Sequence, residues 1–572
     1  MASNLEDSSQ INQVAASLTA MAAACLISTV STSSDAFFAM APVQYQPFYR
    51  YVIRRCQQFF DGYVPELHGA YNWVFSTRLC SSICEGVANK IVGPKVGFRG
   101  GAGASDPATV SWISHQWAPK VKFSTFCRQA VDYAAGLSTS LIKLDRNDQG
   151  DYVPMAVRLD DFTFSVDARN ELTETRCLIK AFASTMPSKK GGSNGETYFL
   201  VEHRFFKGCE SNIIFRPKNG KTYTIPKDER APYAEYQVMK VSISYGAEQH
   251  ILGMSDAEPI RWEDLHKDVQ ESINRNFGFA RIGVPFRLPF ANGCLGAWLM
   301  PFNGFDSSAP NMPFGKALFR DCFTELCEYD IYETFKNIDV HNGKGQVLTP
   351  KSQTMQDLIP TVLVDPAGNP MSYQQNFGKQ AGGSPFDKSA DRITMMPGDP
   401  EGMKPIINQF SLRSEDWQRL QDGNLRAIAM KVHMTPKTLS SSLAEAQGGA
   451  PKTATENESE DDATIDWISL QRGIMAEPIN QMIECLLSVT GHTGNAEVVF
   501  GNIGLRSETK VLQDCSLSVQ NHFMTRADAI RKLNPDLDEE QLTKKIAECE
   551  AEAKADAENA AVFPKLDGEF EQ

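Results

Sequence analysis

The run "ENESEDDATID" (456–466) gathers six potential metal ligands: Glu456, Glu458, Glu460, Asp461, Asp462 and Asp466. Carboxylates are what a Mg²⁺-dependent nuclease needs, but the ligands of such a site usually converge from separate elements into one rigid shell. These acids follow one another along the chain, after "GGAPKTAT" (448–455). The pattern therefore predicts a loop feeding a long helix, with negative charge at the helix N-terminus, where the helix dipole stabilises it.

Other catalytic templates fail on spacing. "PKNGKT" (217–222) carries Gly220-Lys221-Thr222, but Phe215 stands where a phosphate-cradling loop has its first glycine. "VGFRGGAGAS" (96–105) is glycine-rich and reads as a loop after a strand, outside the strand-turn-helix context of a dinucleotide site. HExxH does not occur and the nine histidines are scattered; His433, near a helix end, reads as a C-terminal cap or dipole partner rather than a ligand. Thirteen cysteines run from Cys25 to Cys549 without a CxxC, the closest pairs being Cys80/Cys84 and Cys322/Cys327. Without paired histidines these spacings build no zinc site, and the thiols read as small buried hydrophobes suited to a reducing compartment. The expectation is a protein that is not an enzyme, with no catalytic residue, cofactor or metal.

Composition sets the frame for the elements. A chain of 572 residues exceeds one ordinary core, and 42% apolar with 22% charged residues is globular usage. A net charge of -14 argues against a protein that coats nucleic acid through a broad basic face. "VAASLTAMAAACLISTV" (14–30) looks like a leader or a membrane span, but no lysine or arginine precedes Arg50, and serine and threonine interrupt it. It reads as a packed N-terminal helix, and no membrane association is expected.

Along the chain, "AYNWVFSTRLCSSICEGVANKIVG" (70–93) has a helical period through Trp73, Val74, Leu79, Ile83, Val87 and Ile91 that ends at Gly93. From about 120 to 260, segments such as "STSLIKL", "FTFSV", "ETYFLVEHRFF", "KTYTI" and "YQVMKVSIS" between turn residues predict a mostly antiparallel β region. In "KALFRDCFTELCEYDIYETFKNI" (316–338) Leu318, Cys322, Leu326, Tyr329 and Phe335 make an apolar stripe, and Asp321, Glu325 and Glu328 fall at i, i+4 and i+7 on another face. Residues 341–411 show little helical period, with strand candidates "PTVLV" and "DRITMM". A second helix follows in "SEDWQRLQDGNLRAIAMKVHM" (414–434), with Ser414 a candidate N-cap and Glu415 and Asp416 in its first turn. Apolar positions from Ile465 to Leu487 then keep a helical period through Pro478, which should kink it. At the C-terminus come a short helix capped at Thr525, a break at Asn534-Pro535, and a charged helix over about 538–560.

This order of elements resembles the portal protein of tailed bacteriophages, of the SPP1-like group. The phrases that carry the resemblance are "YNWVFSTRLCSSICEGVANKIVGPKVGFRG", "YFLVEHRFF", "FSLRSEDWQRLQDGNLRAIAMKVHMTPKTLSSSL", "KTATENESEDDATID" and "MTRADAIRKLNPDLDEEQL". They span about three quarters of the chain when taken in order. Residues 270–311 match nothing, and the family varies the insertion at 341–411 freely.

What the resemblance implies is an α+β portal fold: an antiparallel β-rich wing, two long stem helices bracketing a clip insertion, a kinked long helix after a tunnel loop, and a helical C-terminal crown. The parts would be 1–310 and 456–520 for the wing, 311–340 and 412–433 for the stem, 341–411 for the clip, 434–455 for the tunnel loop and 521–572 for the crown. It further implies a homo-oligomeric ring, usually of twelve subunits, at one vertex of the virion capsid and assembled in the host cytoplasm. Double-stranded DNA would pass through it without sequence recognition. Its partners would be the terminase large subunit, major capsid and scaffold proteins, and later the head-tail connector (adaptor) or tail proteins.

A sliding duplex must not be gripped, because each phosphate held by Lys or Arg adds salt-dependent affinity. Twelve copies at -14 would carry roughly -170 in all. Asp321, Glu325 and Glu328 are candidates for an acidic channel wall, with a merely solvated helix face as the other reading. In the loop, Lys437 and Lys452 would make sparse phosphate contacts and Ser440, Ser441 and Ser442 transient hydrogen bonds, with a bland surface role as the other reading. Two further classes stand beside the portal reading: a packaging nuclease, which would need convergent carboxylates or a phosphate loop, and another phage head protein without a channel.

Overall fold

A computed structural model describes residues 37–38, 40–42, 45–69, 74–101, 106–147, 149–167, 173–187, 194–206, 231–245, 251–254, 257–277, 282–291, 293–304, 313–342, 346–350, 392–396, 406–408, 414–435, 454–501, 508–533 and 539–562. The segment 14–30 and the candidates "KTYTI" and "PTVLV" lie outside the described residues.

In chain order the principal elements begin with helix α1 (Arg54–Asp61), α2 (Leu79–Val92), strand β1 (Val96–Gly100), α3 (Pro107–Trp112) and α4 (Phe123–Leu137). Strands follow: β2 (Thr139–Arg146), β3 (Tyr152–Arg158), β4 (Phe162–Asp167), β5 (Thr173–Pro187), β6 (Asn194–Phe206), β7 (Pro232–Tyr245), β8 (Ile251–Met254) and β9 (Glu258–Ile260). Helix α5 (Lys267–Phe277), β10 (Phe286–Arg287) and β11 (Ala297–Pro301) lead to α6 (Phe323–Asn342). Then come β12 (Gln346–Pro350), β13 (Arg392–Met396), β14 (Ile406–Asn408), α7 (Ser414–Lys431), α8 (Ala454–Thr490), β15 (Ala496–Phe500), α9 (Glu508–Gln520), α10 (Arg526–Leu533) and α11 (Glu539–Val562). The protein is a mixed helix-and-sheet, α+β chain.

The chain divides into two compact units, one from 1–66, 78–323 and 429–572, the other from Leu67–Thr77 and Thr324–Ile428. Among the described residues of the larger unit every strand pairing is antiparallel, as the alternating segments predict: a seven-stranded sheet ordered β10-β7-β6-β5-β4 with β8 and β9 on β7, a three-stranded sheet β11-β2-β3, and the pair β1-β15. Tyr198, Leu200 and Val238 of the large sheet bury against Leu265, Val269 and Ile273 of the α5 region. Phe199 points the other way, as strand alternation requires, and meets Phe37 edge-on at 5.7 Å.

Two local expectations change. Residues 123–137 are helical, not part of the β region: Phe123, Phe126, Cys127, Ala130, Val131, Ala134 and Ala135 are all buried at i, i+3 and i+4 spacing. The helix predicted over 70–93 begins only at Leu79. The amides of Phe75 and Thr77 donate to Thr334 Oγ1 (3.0 Å) and Asp330 Oδ1 (2.9 Å), so they have no need of helical carbonyls, and Arg78 takes a left-handed φ of 53°.

Among the described elements helix α8 is the longest, 37 residues or about 55 Å, and it runs unbroken through Pro478. Ile465, Ile468, Met475, Ile479, Met482, Ile483, Leu486 and Leu487 are buried along it, against β2, β11, β15 and α2. Arg472 joins it to α2 by donating from Nε to the Ile91 carbonyl (2.6 Å) and from Nη2 to that of Lys90 (3.2 Å), the last carbonyls of that helix.

The C-terminal helices follow the sequence closely. Thr525 caps α10: its Oγ1 accepts the Asp528 amide at 3.1 Å and its hydroxyl donates to Asp528 Oδ2 at 2.6 Å. Thr525→Ala is expected to lower stability by about 1 kcal/mol and Thr525→Ser to restore most of it. Amide exchange over 526–529 reads the effect locally.

Candidate functional site

The smaller unit holds the helix pair that the sequence places around the insertion. Trp417 of α7 stacks on Phe335 of α6 with ring centroids 5.5 Å apart and donates from Nε1 to Asp339 Oδ2 at 2.5 Å. Gln421, only 5% exposed, donates to Glu333 Oε2 at 2.5 Å. Contacts move up α7 as they move down α6, so the two helices are antiparallel. The segment Leu67–Thr77 is tied to α6 as well, through Thr77 Oγ1 to Asp330 Oδ1 (2.6 Å) and His68 Nε2 beside Asp330 Oδ2 (3.2 Å). Between the helices, β12 pairs in parallel with β13 and antiparallel with β14, giving a three-stranded sheet whose β13 is the predicted "DRITMM".

Most acids of α6 are thus committed to neighbours within the unit. Asp330, Glu333 and Asp339 hold Thr77, Gln421 and Trp417, a use that the sequence alone does not reveal because all three partners are distant along the chain.

The predicted acidic face does not form as a single row. Glu325 and Glu328 lie on α6 and are half-buried, whereas Asp321 precedes the helix, which starts at Phe323. The reason is the turn before it: the Arg320 and Cys322 amides bond to the Ala317 and Phe319 carbonyls, while Phe319 and Cys322 are buried. Asp321 is exposed there and paired with Lys316 Nζ at 2.6 Å, and its carbonyl accepts from Lys431 Nζ at 2.8 Å.

Lys437, Ser440, Ser441, Ser442 and Lys452 lie outside the described residues. The acidic run stands nearer than expected to helix: α8 starts at Ala454, so Glu456 to Asp462 occupy its first turns instead of a preceding loop. Glu456 lies in the first turn, where negative charge meets the helix dipole, and the later acids lie beyond its reach. His433 is a cap, as predicted. It adopts a left-handed φ of 56° just past α7, and the Met434 amide reaches the Ala429 carbonyl at 3.0 Å, the six-to-one bond of a Schellman ending.

The strongest polar cluster of the larger unit is structural in its chemistry. Arg204 on β6, 1% exposed, donates from Nε to Glu202 Oε1 (2.6 Å) and from Nη1 to the Gly296 carbonyl (2.7 Å), with the Leu144 and Leu295 carbonyls at 3.3 and 3.4 Å. Lys143 Nζ bridges Glu202 Oε2 (2.8 Å) and Asp145 Oδ2 (3.0 Å). Burial by itself would raise the Glu202 carboxyl, but Arg204 and Lys143 outweigh it and hold it down at about 2. These bonds clamp β2, β6 and the turn before β11 together. Among the described residues these charges pair with one another and with backbone carbonyls, an arrangement that holds strands together.

The first half of the glycine-rich 96–105 is β1 itself, Asp106 is the N-cap of α3, and residues 102–105 lie outside the described residues. Among the described residues β1 pairs with β15 alone, antiparallel, whereas a dinucleotide fold needs a parallel sheet. One string with nucleophile-elbow spacing also occurs, Gly191-Gly192-Ser193-Asn194-Gly195. Its Asn194 and Gly195 belong to strand β6 and not to a helix, which such a nucleophile would precede, while Gly191 to Ser193 lie outside the described residues. Among the described residues no three His, Cys, Asp or Glu side chains group to hold a metal ion, and no helix is long and apolar enough to cross a membrane.

Comparison with known proteins assigns no family: no family model matches the chain, and no curated protein matches it.

Proposed function

We propose that this chain is the subunit of a portal ring, a homo-oligomer at one capsid vertex that forms the channel for double-stranded DNA during packaging and ejection. The observation that carries this reading is the antiparallel pair α6 and α7, joined by Trp417, Phe335, Asp339, Gln421 and Glu333, with a small sheet inserted between them and the long helix α8 following. In this reading α6 and α7 are the stem, the insertion is the clip that meets the terminase motor and later the connector, and residues 434–455 are the tunnel loop. Exposed apolar side chains support self-association: Leu517 (55%) and Leu512 (52%) on α9, Phe523 (86%) in the turn between α9 and α10, and Met430 (74%) on α7 remain open in the single subunit.

The net charge of -14 suits a bore that a polyanion must slide through. Glu325 and Glu328 remain candidates for its wall; Asp321, neutralised by Lys316, is the weaker one.

Removing residues 438–449 tests the channel reading at the loop. Assembly is expected to stay intact while packaging or retention of DNA in an in vitro packaging reaction falls at least severalfold; loss of assembly would make the loop structural instead. Charge reversals within 341–411 are expected to weaken binding of the packaging motor, and unchanged binding would remove the clip assignment.

A further inference from the structure

The sulfurs of Cys294 and Cys485 lie 3.3 Å apart although 191 residues separate them. Cys485 is on α8 and only 8% exposed, while Cys294 is half-buried in the turn before β11. That turn is well defined: the Cys294 amide donates to the Ala291 carbonyl at 3.2 Å, and the Gly296 amide donates to Cys294 Sγ at 3.4 Å. Both residues are thiols. Contact with Cys294 and burial push the Cys485 thiol up, so it is held protonated. A bond requires the two sulfurs to approach by about 1.2 Å, a distance of the order that side-chain rotation supplies.

We infer that Cys294 and Cys485 form a latent disulfide site, closed by a peroxide. Exposure sets the order of events. Peroxide reaches half-buried Cys294 first: its sulfur takes one peroxide oxygen, the O–O bond breaks, and sulfenic acid and one water result. The Cys485 sulfur then attacks the sulfenic sulfur, the S–S bond forms as the S–O bond breaks, and hydroxide leaves with the Cys485 proton as a second water. Two thiols are oxidised by two electrons and one peroxide is reduced. Cys485 needs no opening to solvent, because its partner is already in contact.

The crosslink would brace the site that holds Arg204. Leu295 and Gly296, whose carbonyls accept from Arg204, follow Cys294 directly, so oxidation would tie α8 covalently to the clamp between β2 and β6. The inference does not depend on the ring reading, since both residues lie in one unit of one chain.

The test uses the full chain, purified reduced, treated with a small molar excess of hydrogen peroxide, then denatured, alkylated with iodoacetamide, digested and mapped by mass spectrometry. The expected result is a linked peptide pair containing Cys294 and Cys485, with a loss of about 2 Da that dithiothreitol reverses. In the Cys485→Ser variant the same treatment should leave Cys294 as sulfenic or sulfinic acid. Wild-type protein in which Cys294 goes to sulfinic acid without a linked peptide, or in which both thiols stay open to alkylation, would overturn the site. The wild-type mapping decides the matter even if the variant does not fold.

Discussion

Replacing Arg204 with methionine is expected to lower the free energy of unfolding by about 3–5 kcal/mol. The guanidinium is 1% exposed and serves three backbone carbonyls and the Glu202 carboxylate. Its removal leaves those acceptors buried with fewer donors, and it leaves Glu202 with Lys143 as its remaining cationic partner. Breaking one partner out of a buried charge cluster costs far more than the cluster contributes against an apolar replacement of the whole. The double variant Arg204→Met with Glu202→Gln should therefore recover part of the loss. Urea unfolding read by tryptophan fluorescence measures both, and a single-variant loss below about 1 kcal/mol would show that water reaches the site.

Acid lability centred on His203 is the second large effect. This residue is 7% exposed on β6, its ring lies 4.7 Å from that of Phe205, and neither ring nitrogen has a hydrogen-bond partner. Burial first, and then the charge of Arg176, hold its folded pKa down at about 3, against 6.5 for an open imidazole. Between those values the unfolded chain binds a proton that the folded chain refuses, so stability is full above pH 6.5 and falls as pH drops towards 3. Over the part of the window from pH 6.5 to 4.5 the loss is about 2 kcal/mol.

Two other groups define how the effect must be read. Asp132 is raised to about 6 by burial and Glu85, with Arg158 opposing, so acidification below 6 stabilises the fold through it. Glu202, held down at about 2, gives up its contribution only as pH falls from 4.5 through 2. The measurement is therefore the difference between wild type and His203→Phe at each pH. The variant is expected to gain on the wild type by about 2 kcal/mol between pH 6.5 and 4.5; parallel curves would mean that His203 is hydrated or already charged.

Much of the fold is legible in the sequence, and the reason differs by element. Helix α8 is readable because eight apolar positions from Ile465 to Leu487 keep one period and are in fact buried. The Thr525 cap and the His433 ending are readable because caps depend on neighbours three to five residues away. Helix α4 had an equally clean period and was obscured only by the β-rich segments after it. The start of α6 was not readable, because its boundary is set by a turn that buries Phe319 and Cys322 and by the pairing of Asp321 with Lys316.

The site is less legible than the fold. Acids look alike in sequence whether they face solvent or a partner, and the roles of Asp330, Glu333 and Asp339 are set by contact with residues far along the chain. For the same reason nothing in the spacing of thirteen cysteines points to Cys294 and Cys485.

Electron microscopy of the purified protein, with enough particle views to assign rotational symmetry, bears most directly on the ring. Closed rings with a central opening that admits a duplex are expected, built from about twelve copies of the 63.3 kDa chain. Particles that remain single 63.3 kDa subunits across salt and protein concentration, or that pack into shells without a bore, would contradict it.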